Sequence, residues 1–473
     1  MNPKDFRAFA HQLVDWMADY VEQAGEHPVI PSTQPGEIRD QFPSSPPPQG
    51  EEFAQIFDDF QSKIVPGMTH WNHPGWFAYF PANHSPPSIL AEMLTATLGA
   101  QCMSWQTSPA ATELEQVVLD WLRQMLGLSE SWVGSIQDTA SSATLVALLS
   151  AREQATQHQY GQNGAAAPNA DRLVVYASTE AHSSIDKGVK LAGYGLNRLR
   201  SIPTDDNFAM DPEALEAAIQ KDLADGLLPS CVVACVGTTS STGLDPLQAI
   251  GRICQRHSIW LHVDAAYGGS AAILPEHQYI LDGVEHADSF VFNPHKWLFT
   301  NFDCSAYFVR DVDTLLRTFR SDPEYLKTVY DPQVVNFRDW GIPLGRRFRA
   351  LKLWFVLRSY GVEGLQEHIR NHIVWAQELG QWVEESPHFE LLAPVPLGLV
   401  CLRYNPDPNL DEGTLDELNQ KLITLVNKDP RFHLTHTKLR GRYTLRVSIG
   451  QLYTTRQTVL ELWDFLQNTA QSL

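Results

Sequence analysis

One acid and one lysine stand out for the chemistry that they could do together. Asp264 ends the strand-like run IWLHVD, and Lys296 lies in FNPHKWLF with apolar residues on both sides. A lysine among apolar residues is uncommon unless it is paired or reactive. An amine can hold pyridoxal phosphate (PLP) as a Schiff base, and a carboxylate can pair with its pyridine nitrogen. The two residues therefore predict a PLP site built around Lys296 and Asp264.

Each group depends on its surroundings for this chemistry. A carboxylate favours the protonated ring nitrogen by Coulomb attraction. A free lysine titrates near ~10.4, so desolvation or a neighbouring cation must lower its pKa before it acts as a nucleophile. An Asp after a strand and a surface Lys are each common alone, so the pair carries the prediction. The chain between Asp264 and Lys296 has room for a loop, a helix and a further strand.

Composition and charge narrow the class of protein. The chain has 473 residues, 43% of them hydrophobic, and a net charge of −20, which suits one large domain with smaller additions. With no Lys/Arg-rich run, neither nucleic acid nor an anionic membrane surface is an expected partner. No signal-like segment or apolar run of transmembrane length stands out. Six cysteines without a CxxC pair indicate reduced thiols in a cytoplasmic protein, and no histidine spacing predicts a metal site.

Strand and helix patterns alternate through the middle of the chain. The strand-like runs are RLVVYAS, SCVVACVG, SIWLHVD, DSFVFN and CSAYFVR, with helical stretches between most of them. This order predicts an α/β protein with a mostly parallel, doubly wound sheet, which binds ligands at the carboxyl ends of its strands. After residue 361, helical stretches 363–385 and 412–428 alternate with LVCLRYN and YTLRVSIG, as in a smaller α/β domain.

The amino-terminal region has a different pattern. Residues 5–22 show helical periodicity, which fits a helix packed on its own body or across a partner subunit. Residues 29–50 are proline-rich and polar, which indicates an extended strap.

Further candidate residues lie at predicted strand and helix ends. Thr139, Ala140 and Ser141 precede a helix, where backbone N–H groups and hydroxyls could cradle a phosphate. His182 follows RLVVYAS and could stack on a cofactor ring, while Ser183 and Asp186 could form a capping box. Thr239 ends the strand SCVVACVG in a turn rich in hydroxyls. Each of these also has an ordinary structural explanation when considered alone.

Residues 321–345 form a long polar stretch without a regular pattern, which is typical of a mobile lid. Tyr325 and Tyr330 lie on it, and a lid tyrosine can deliver a proton once water is excluded. Three arginines follow, and they predict either a surface face or an anchor for the loop: Arg346, Arg347 and Arg349.

Taken together, these segments resemble the group II PLP-dependent decarboxylases, specifically the aromatic-L-amino-acid decarboxylase family. The resemblance runs over nearly the whole chain and includes HWNHPGWFAYFPA, SWQTSPAATELE, EAHSSIDKG, LHVDAAYGG, NPHKWLFTNFDCSA, DPEYLK and PLGRRFRALKLWFVLRSYGV. It implies PLP fold-type I, which is aspartate aminotransferase-like, and a homodimer with shared active sites. The implied parts are an amino-terminal arm that packs on the partner subunit (1–85), a large PLP-binding domain (86–360) and a small carboxyl-terminal domain (361–473).

The resemblance also implies residue roles. Lys296 would be the Schiff-base lysine, Asp264 the partner of the pyridine nitrogen, and His182 the residue stacked on the ring. Tyr325 would protonate the substrate carbon after CO2 leaves. The other implied cofactor-binding residues are Thr139, Ala140, Ser141, Thr239, Asn293 and His295. The implied substrate pocket comprises Trp71, Tyr79, Phe80, Pro81 and Ala82, with Gln101 and Met103 reaching in from the other subunit.

The expected reaction is decarboxylation of an aromatic L-amino acid (tryptophan, tyrosine, dopa or phenylalanine) to its amine and CO2. Ala82, Gln101, Met103 and Asp138 depart from the usual residues of the family, which leaves the preferred side chain open. One alternative is an aromatic acetaldehyde synthase, which couples decarboxylation to oxidative deamination, and another is a decarboxylase of a non-aromatic acid. Retention of His182 and Tyr325 favours simple decarboxylation, and the intact set of candidate residues argues against a silent binding protein.

Overall fold

The computed structural model describes residues 1–321 and 323–473. Its helices are α1 Pro3–Glu22, α2 Phe53–Asp59, α3 Pro86–Leu98, α4 Pro109–Met125, α5 Ala140–Ala155, α6 Tyr160–Asn163, α7 Ser184–Leu191, α8 Pro212–Ala224, α9 Leu247–His257, α10 Pro294–Trp297, α11 Val312–Phe319, α12 Arg349–Glu385, α13 Glu412–Val426 and α14 Arg456–Ala470. Its strands are β1 Val133–Gln137, β2 Leu173–Ser178, β3 Leu199–Ile202, β4 Leu228–Cys235, β5 Trp260–Asp264, β6 Ser289–Phe292, β7 Ser305–Val309, β8 Phe389–Leu391, β9 Leu399–Tyr404, β10 Thr435–Leu439 and β11 Arg442–Ser448.

Seven strands form the large sheet, in the order β1-β7-β6-β5-β4-β2-β3. Strands β3, β2, β4, β5 and β6 run parallel, and β7 is antiparallel to both of its neighbours. Every residue of β2, β5 and β6 is buried, as expected where helices cover both faces of a parallel sheet. The predicted α/β class and mostly parallel sheet are confirmed.

A second sheet of four antiparallel strands, in the order β10-β11-β9-β8, forms the carboxyl-terminal part. Its buried side chains share a core with α13 and α14. Helix α12 connects the two parts and continues across the predicted boundary at residue 361. Its helical geometry breaks at Gly361, where φ is 64°, a conformation that glycine adopts at little cost. The predicted domain ranges remain a prediction.

Helix α1 confirms the amphipathic helix predicted near the amino terminus. Although one face is apolar, none of its residues is buried. Val14, Met17 and Val21 of α1 line an apolar groove with Ile89 and Leu90 of α3. Within the described residues, no helix has the length and apolarity needed to cross a membrane.

The segment between β5 and β6, which is long enough for a helix, contains no α-helix. Three 3-10 segments occur there instead, at Gly268–Ile273, Pro275–Leu281 and Val284–His286. Gly269 lies so close to β6 that a Cβ atom on it would be 2.5 Å from Phe292 Cβ. Pro275 and Gly283, whose φ is 103°, further divide the segment into short turns.

Candidate active site

A cavity of about 200 Å³ opens at the carboxyl edge of the large sheet. The structure brings all nine predicted cofactor-contacting residues to its wall, together with Phe80. The nine are Thr139, Ala140, Ser141, His182, Thr239, Asp264, Asn293, His295 and Lys296. Sequence reasoning did not single out four further lining residues, which are Ser184, Cys235, Ala266 and Tyr267.

Asp264 and Lys296 reach this cavity from neighbouring strands. Asp264 is the last residue of β5, where it pairs with Val291 of β6, and its Oδ1 accepts a hydrogen bond from the Ala266 N–H at 3.0 Å. Lys296 lies in α10, directly after β6, and its carbonyl accepts from Asn83 Nδ2 at 2.7 Å. The Lys296 amine lies 5.3 Å from the centroid of the Phe80 ring. The Asp264 carboxylate and the Lys296 amine therefore line one cavity. Hydrogen bonds to Ala266 and Asn83 hold the chain at each of these residues.

The electrostatics of the cavity favour a neutral amine on Lys296. Burial lowers the pKa of Lys296, Asp264 opposes that shift, and Arg446 adds to it. The guanidinium of Arg446 donates to the Thr239 carbonyl at 2.7 Å and to Thr435 Oγ1 at 3.0 Å. Sequence reasoning missed Arg446, although an arginine inside the otherwise apolar strand YTLRVSIG was a signal, since buried arginines are rare.

The amino terminus of α5 provides hydrogen-bond donors to the same cavity. Thr139 caps this 16-residue helix, with its Oγ1 accepting from the Ser142 N–H at 3.3 Å. The first N–H groups of a helix have no partner within it, and here they belong to Ala140 and Ser141. These two residues line the cavity, so the helix end suits an anionic group.

Two more donors come from the segment that carries Lys296. The Cys304 N–H donates to His295 Nδ1 at 2.9 Å, which places the proton of the neutral ring on Nε2. Burial and the nearby Lys296 lower the pKa of His295 to about 3. Asn293 Oδ1 accepts from Ser305 Oγ at 2.6 Å, which leaves the amide N–H groups of Asn293 as donors.

His182 caps α7 with its own ring. Nδ1 of His182 accepts from the Ser184 N–H at 3.1 Å, so the proton of the neutral ring lies on Nε2. The predicted capping box of Ser183 and Asp186 was wrong, because the side chain of Ser183 makes no capping bond and the imidazole takes that place. Burial lowers the pKa of His182.

Three stacked aromatic rings lie beside the cavity, and two of them, Phe80 and Tyr267, line it. The rings of Phe80 and Tyr267 lie 3.8 Å apart at 13°, and those of Tyr267 and Trp297 lie 4.5 Å apart at 9°. The stack therefore joins Phe80 to two residues that follow Asp264 and Lys296 in the chain, Tyr267 and Trp297.

Comparison with known proteins identifies the group to which this site belongs. The sequence model of one protein family, described as the pyridoxal-dependent decarboxylase conserved domain, matches residues 35–405. The chain belongs to the pyridoxal-dependent decarboxylase family. It is 44% identical to phenylacetaldehyde synthase of Arabidopsis thaliana, over 100% of this chain and 97% of the relative, and 43% identical to aromatic-L-amino-acid decarboxylase of Sus scrofa, over 100% and 98%. The crystal structure of Oryza sativa TDC with PLP and tryptamine matches with a TM-score of 0.96 and 38% identity, over 100% of this chain and 99% of that one.

PLP is the cofactor of this family, and the cavity fits it chemically. An anion cradle at α5, the carboxylate of Asp264 and the amine of Lys296 line one space, as a phosphate, a ring nitrogen and an aldehyde require. The predicted resemblance to group II PLP-dependent decarboxylases and the predicted fold-type I architecture are confirmed.

Most of the predicted substrate residues lie outside the wall of this cavity in the single chain. Tyr79, Pro81 and Ala82 adjoin Phe80 in the chain, and the ring of Trp71 lies 5.7 Å from that of Tyr79. Gln101 Oε1 accepts from the Arg346 N–H at 2.8 Å, and the Met103 carbonyl accepts from the Arg338 N–H at 3.0 Å. Tyr325 is 77% exposed.

The predicted lid is fastened to the segment that carries Gln101 and Met103. Asn336 Oδ1 accepts from the Trp105 N–H at 3.1 Å, and the ring of Tyr330 lies 5.0 Å from that of Trp105.

Arg346 forms a buried ion pair with Glu115, with Nη2 of Arg346 at 2.6 Å from Oε1 of Glu115. Arg346 is therefore an anchor of the loop and not a surface residue. Among the described residues, no cluster of side chains suits a metal ion.

Proposed function

We propose that the chain decarboxylates an aromatic L-amino acid to the corresponding amine and CO2. The observation that carries this proposal is one cavity in which Asp264, Lys296 and the anion cradle meet beside aromatic rings. The named relatives support an aromatic substrate, since they include an aromatic-L-amino-acid decarboxylase and a TDC crystallised with tryptamine. The rings of Phe80, Trp71 and Tyr79 offer apolar faces to such a side chain.

The proposed residue roles follow from the chemistry of each group. Bound PLP supplies an electron sink for the electron pair that is released when the carboxylate leaves. Lys296 would hold the aldehyde carbon through its amine, and Asp264 would keep a proton on the ring nitrogen by charge attraction. His182 would orient the substrate carboxylate with its Nε2–H. Thr139, Ala140, Ser141, Asn293 and His295 would hold the phosphate, and Thr239 would contact the cofactor.

The proposed proton donor and part of the substrate pocket require a second copy of the chain. Tyr325 is exposed, and Gln101 and Met103 do not line the cavity of their own chain. Because the lid is hydrogen-bonded to Trp105, it lies next to the 101–103 segment, which the family resemblance assigns to the partner's site. The unburied helix α1 and its apolar groove with α3 give a further surface for dimerisation. We propose a homodimer in which Tyr325 of one copy donates its proton in the site of the other.

An aromatic acetaldehyde synthase is the second candidate, because the relative from Arabidopsis thaliana with 44% identity is a phenylacetaldehyde synthase. That reaction consumes O2 and water and releases an aldehyde, CO2, ammonia and H2O2. The presence of Tyr325 supports the decarboxylase, since a positioned phenol protonates the substrate carbon before O2 reacts with it.

A product assay separates the two candidates. The holoenzyme is incubated with tryptophan, tyrosine, dopa and phenylalanine in air, with glutamate as a non-aromatic comparison, and products are identified by mass spectrometry. The proposal predicts amines with little H2O2, while stoichiometric H2O2 and ammonia would establish the synthase. Turnover of glutamate alone would overturn the aromatic assignment.

We also propose a cytoplasmic location. All six cysteines are free and buried, which suits a compartment that keeps thiols reduced. Tagged protein in fractionated source cells would test this, and recovery outside the cytoplasmic fraction would contradict it.

A further inference from the structure

A buried polar network lies beneath the cavity, on the side of the sheet covered by α5. Along β5 the side chains alternate, so Trp260, His262 and Asp264 point to one face. Trp260 belongs to the core that contains Ala143 and Val146 of α5. Asp264 lines the cavity at the end of this row, and His262 lies directly beneath it with none of its surface exposed.

His262 connects three elements of the cavity wall. Its Nδ1 lies 2.9 Å from Ser289 Oγ on β6, and its Nε2 lies 3.5 Å from Thr144 Oγ1 on α5. The indole N–H of Trp260 donates to the same Ser289 hydroxyl at 2.9 Å. Since an indole can only donate, it occupies one lone pair of Ser289 Oγ, and the hydroxyl keeps one lone pair and its hydrogen for His262 Nδ1. His262 therefore has a polar partner at each ring nitrogen, Ser289 at Nδ1 and Thr144 at Nε2.

Each partner of His262 belongs to an element that carries part of the site. Thr144 lies one helical turn after Ala140, on the same face of α5, and Ala140 lines the cavity at the helix end. Ser289 begins β6, the strand that leads to Lys296. Burial lowers the pKa of His262 to about 4, so the imidazole is a neutral connector at physiological pH.

We propose that His262 is a positioning residue that fixes Asp264, the phosphate-binding end of α5 and the strand leading to Lys296 relative to one another. The inference rests on the site assignment made under the proposed function. A histidine with a purely structural role would stabilise the fold and would have no separate effect on cofactor binding. A positioning histidine also sets how well the preformed site holds the cofactor, because small displacements among its three groups weaken binding.

Two substitutions of His262 separate these roles. His262→Leu removes both polar contacts at similar volume, whereas His262→Gln retains a donor and an acceptor. Thr144→Val removes the far contact with little change of shape. Ser150→Ala is the matched control, because Ser150 is a buried hydroxyl of the same helix that bonds only to its own backbone, at Val146 O.

The measurement is PLP titration of each apoprotein, followed by its absorbance spectrum, together with the melting temperatures of apo and holo forms. We expect His262→Leu to raise the Kd for PLP by about tenfold or more, which corresponds to ~1.4 kcal/mol. The spectrum of the bound cofactor changes, and the gap between holo and apo melting temperatures narrows. We expect His262→Gln to recover most of the affinity, Thr144→Val to weaken binding by about threefold, and Ser150→Ala to match the parent.

An unchanged Kd and spectrum in His262→Leu would overturn the inference, as would equal losses in all four variants. If His262→Leu does not fold, Thr144→Val and His262→Gln decide the matter, and parental binding in Thr144→Val contradicts the proposal. These measurements use no amino-acid substrate. A chain that produces no aromatic amine would therefore fail the proposed function without changing this result.

Discussion

The amine of Lys296 and the guanidinium of Arg446 lie over the same aromatic ring, 5.3 and 5.4 Å from the centroid of Phe80. Arg446 is buried, and burial lowers its own pKa, yet it stays charged since arginine titrates far above physiological pH. A fixed cation beside a lysine favours the neutral amine of that lysine. Arg446 therefore helps to prepare Lys296 as a nucleophile.

Arg446→Gln should raise the pKa of Lys296, because it removes a cation that lowers this pKa. The amine then needs a higher pH to become neutral, so the pH dependence of PLP recombination with the apoprotein moves to higher pH. Stopped-flow absorbance measures this rate. Arg442→Gln on the same strand is the control, since Arg442 pairs with Glu390 away from the cavity. A profile that stays in place or moves to lower pH would contradict the assigned role of Arg446.

Asp264→Asn should retain bound PLP but lose most of the activity. Asparagine can still accept the Ala266 N–H, so the local backbone is preserved, but the charge that keeps the ring nitrogen protonated is gone. We expect kcat to fall by about 10²-fold or more. Steady-state assays of amine formation measure this, with absorbance confirming that the cofactor remains bound. A kcat close to that of the parent would exclude Asp264 as the charge partner.

Tyr325→Phe should change the product and not only the rate. Without the phenol, protonation of the substrate carbon slows and O2 competes for it, so aldehyde and H2O2 increase at the expense of amine. Tyr330→Phe, on the same loop and packed on Trp105, is the control and should keep the parental ratio of amine to aldehyde. An unchanged ratio in Tyr325→Phe would remove Tyr325 from the mechanism.

Glu115→Ala should destabilise the protein more strongly than loss of an exposed pair. Glu115 accepts from Arg346 and from the Ile136 N–H at 2.8 Å, and both charged side chains are buried. Leaving the Arg346 charge unpaired costs ~3–5 kcal/mol of the free energy of unfolding. Asp429→Ala breaks the more exposed pair with Arg431 and should cost about 1 kcal/mol or less. Denaturant titration compares the two, and equal losses would contradict the role of Arg346 as a buried anchor.

Complementation between two inactive variants can test whether each active site combines residues from two subunits. Lys296→Ala and Tyr325→Phe each disable a different part of the proposed composite site. If Tyr325 acts across the interface, a mixed dimer contains one site that has both parental residues and one site that lacks both. Exchanged mixtures should then regain amine formation, whereas mixtures that gain none would place Tyr325 in the site of its own chain.

The large sheet and its cavity could be predicted because each residue pattern that indicates them lies within one short segment of the chain. Asp264 ends a buried strand, Thr139 precedes a helix, and alternating strands and helices indicate a mostly parallel sheet. Arg446 was missed because it comes from the second sheet, 207 residues beyond the turn at Thr239 that it contacts. The capping of α7 by His182 was missed for a different reason, since an imidazole competes with the usual Ser and Asp caps only when tertiary packing fixes its ring.

Borohydride reduction of the holoenzyme, followed by digestion and peptide mass mapping, tests the central claim most directly. Reduction makes the bond between PLP and its lysine permanent, so the modified residue can be identified. We predict that the added mass of the reduced cofactor lies on Lys296 in the peptide containing FVFNPHK. Modification of a different lysine, with Lys296 unmodified, would contradict the account.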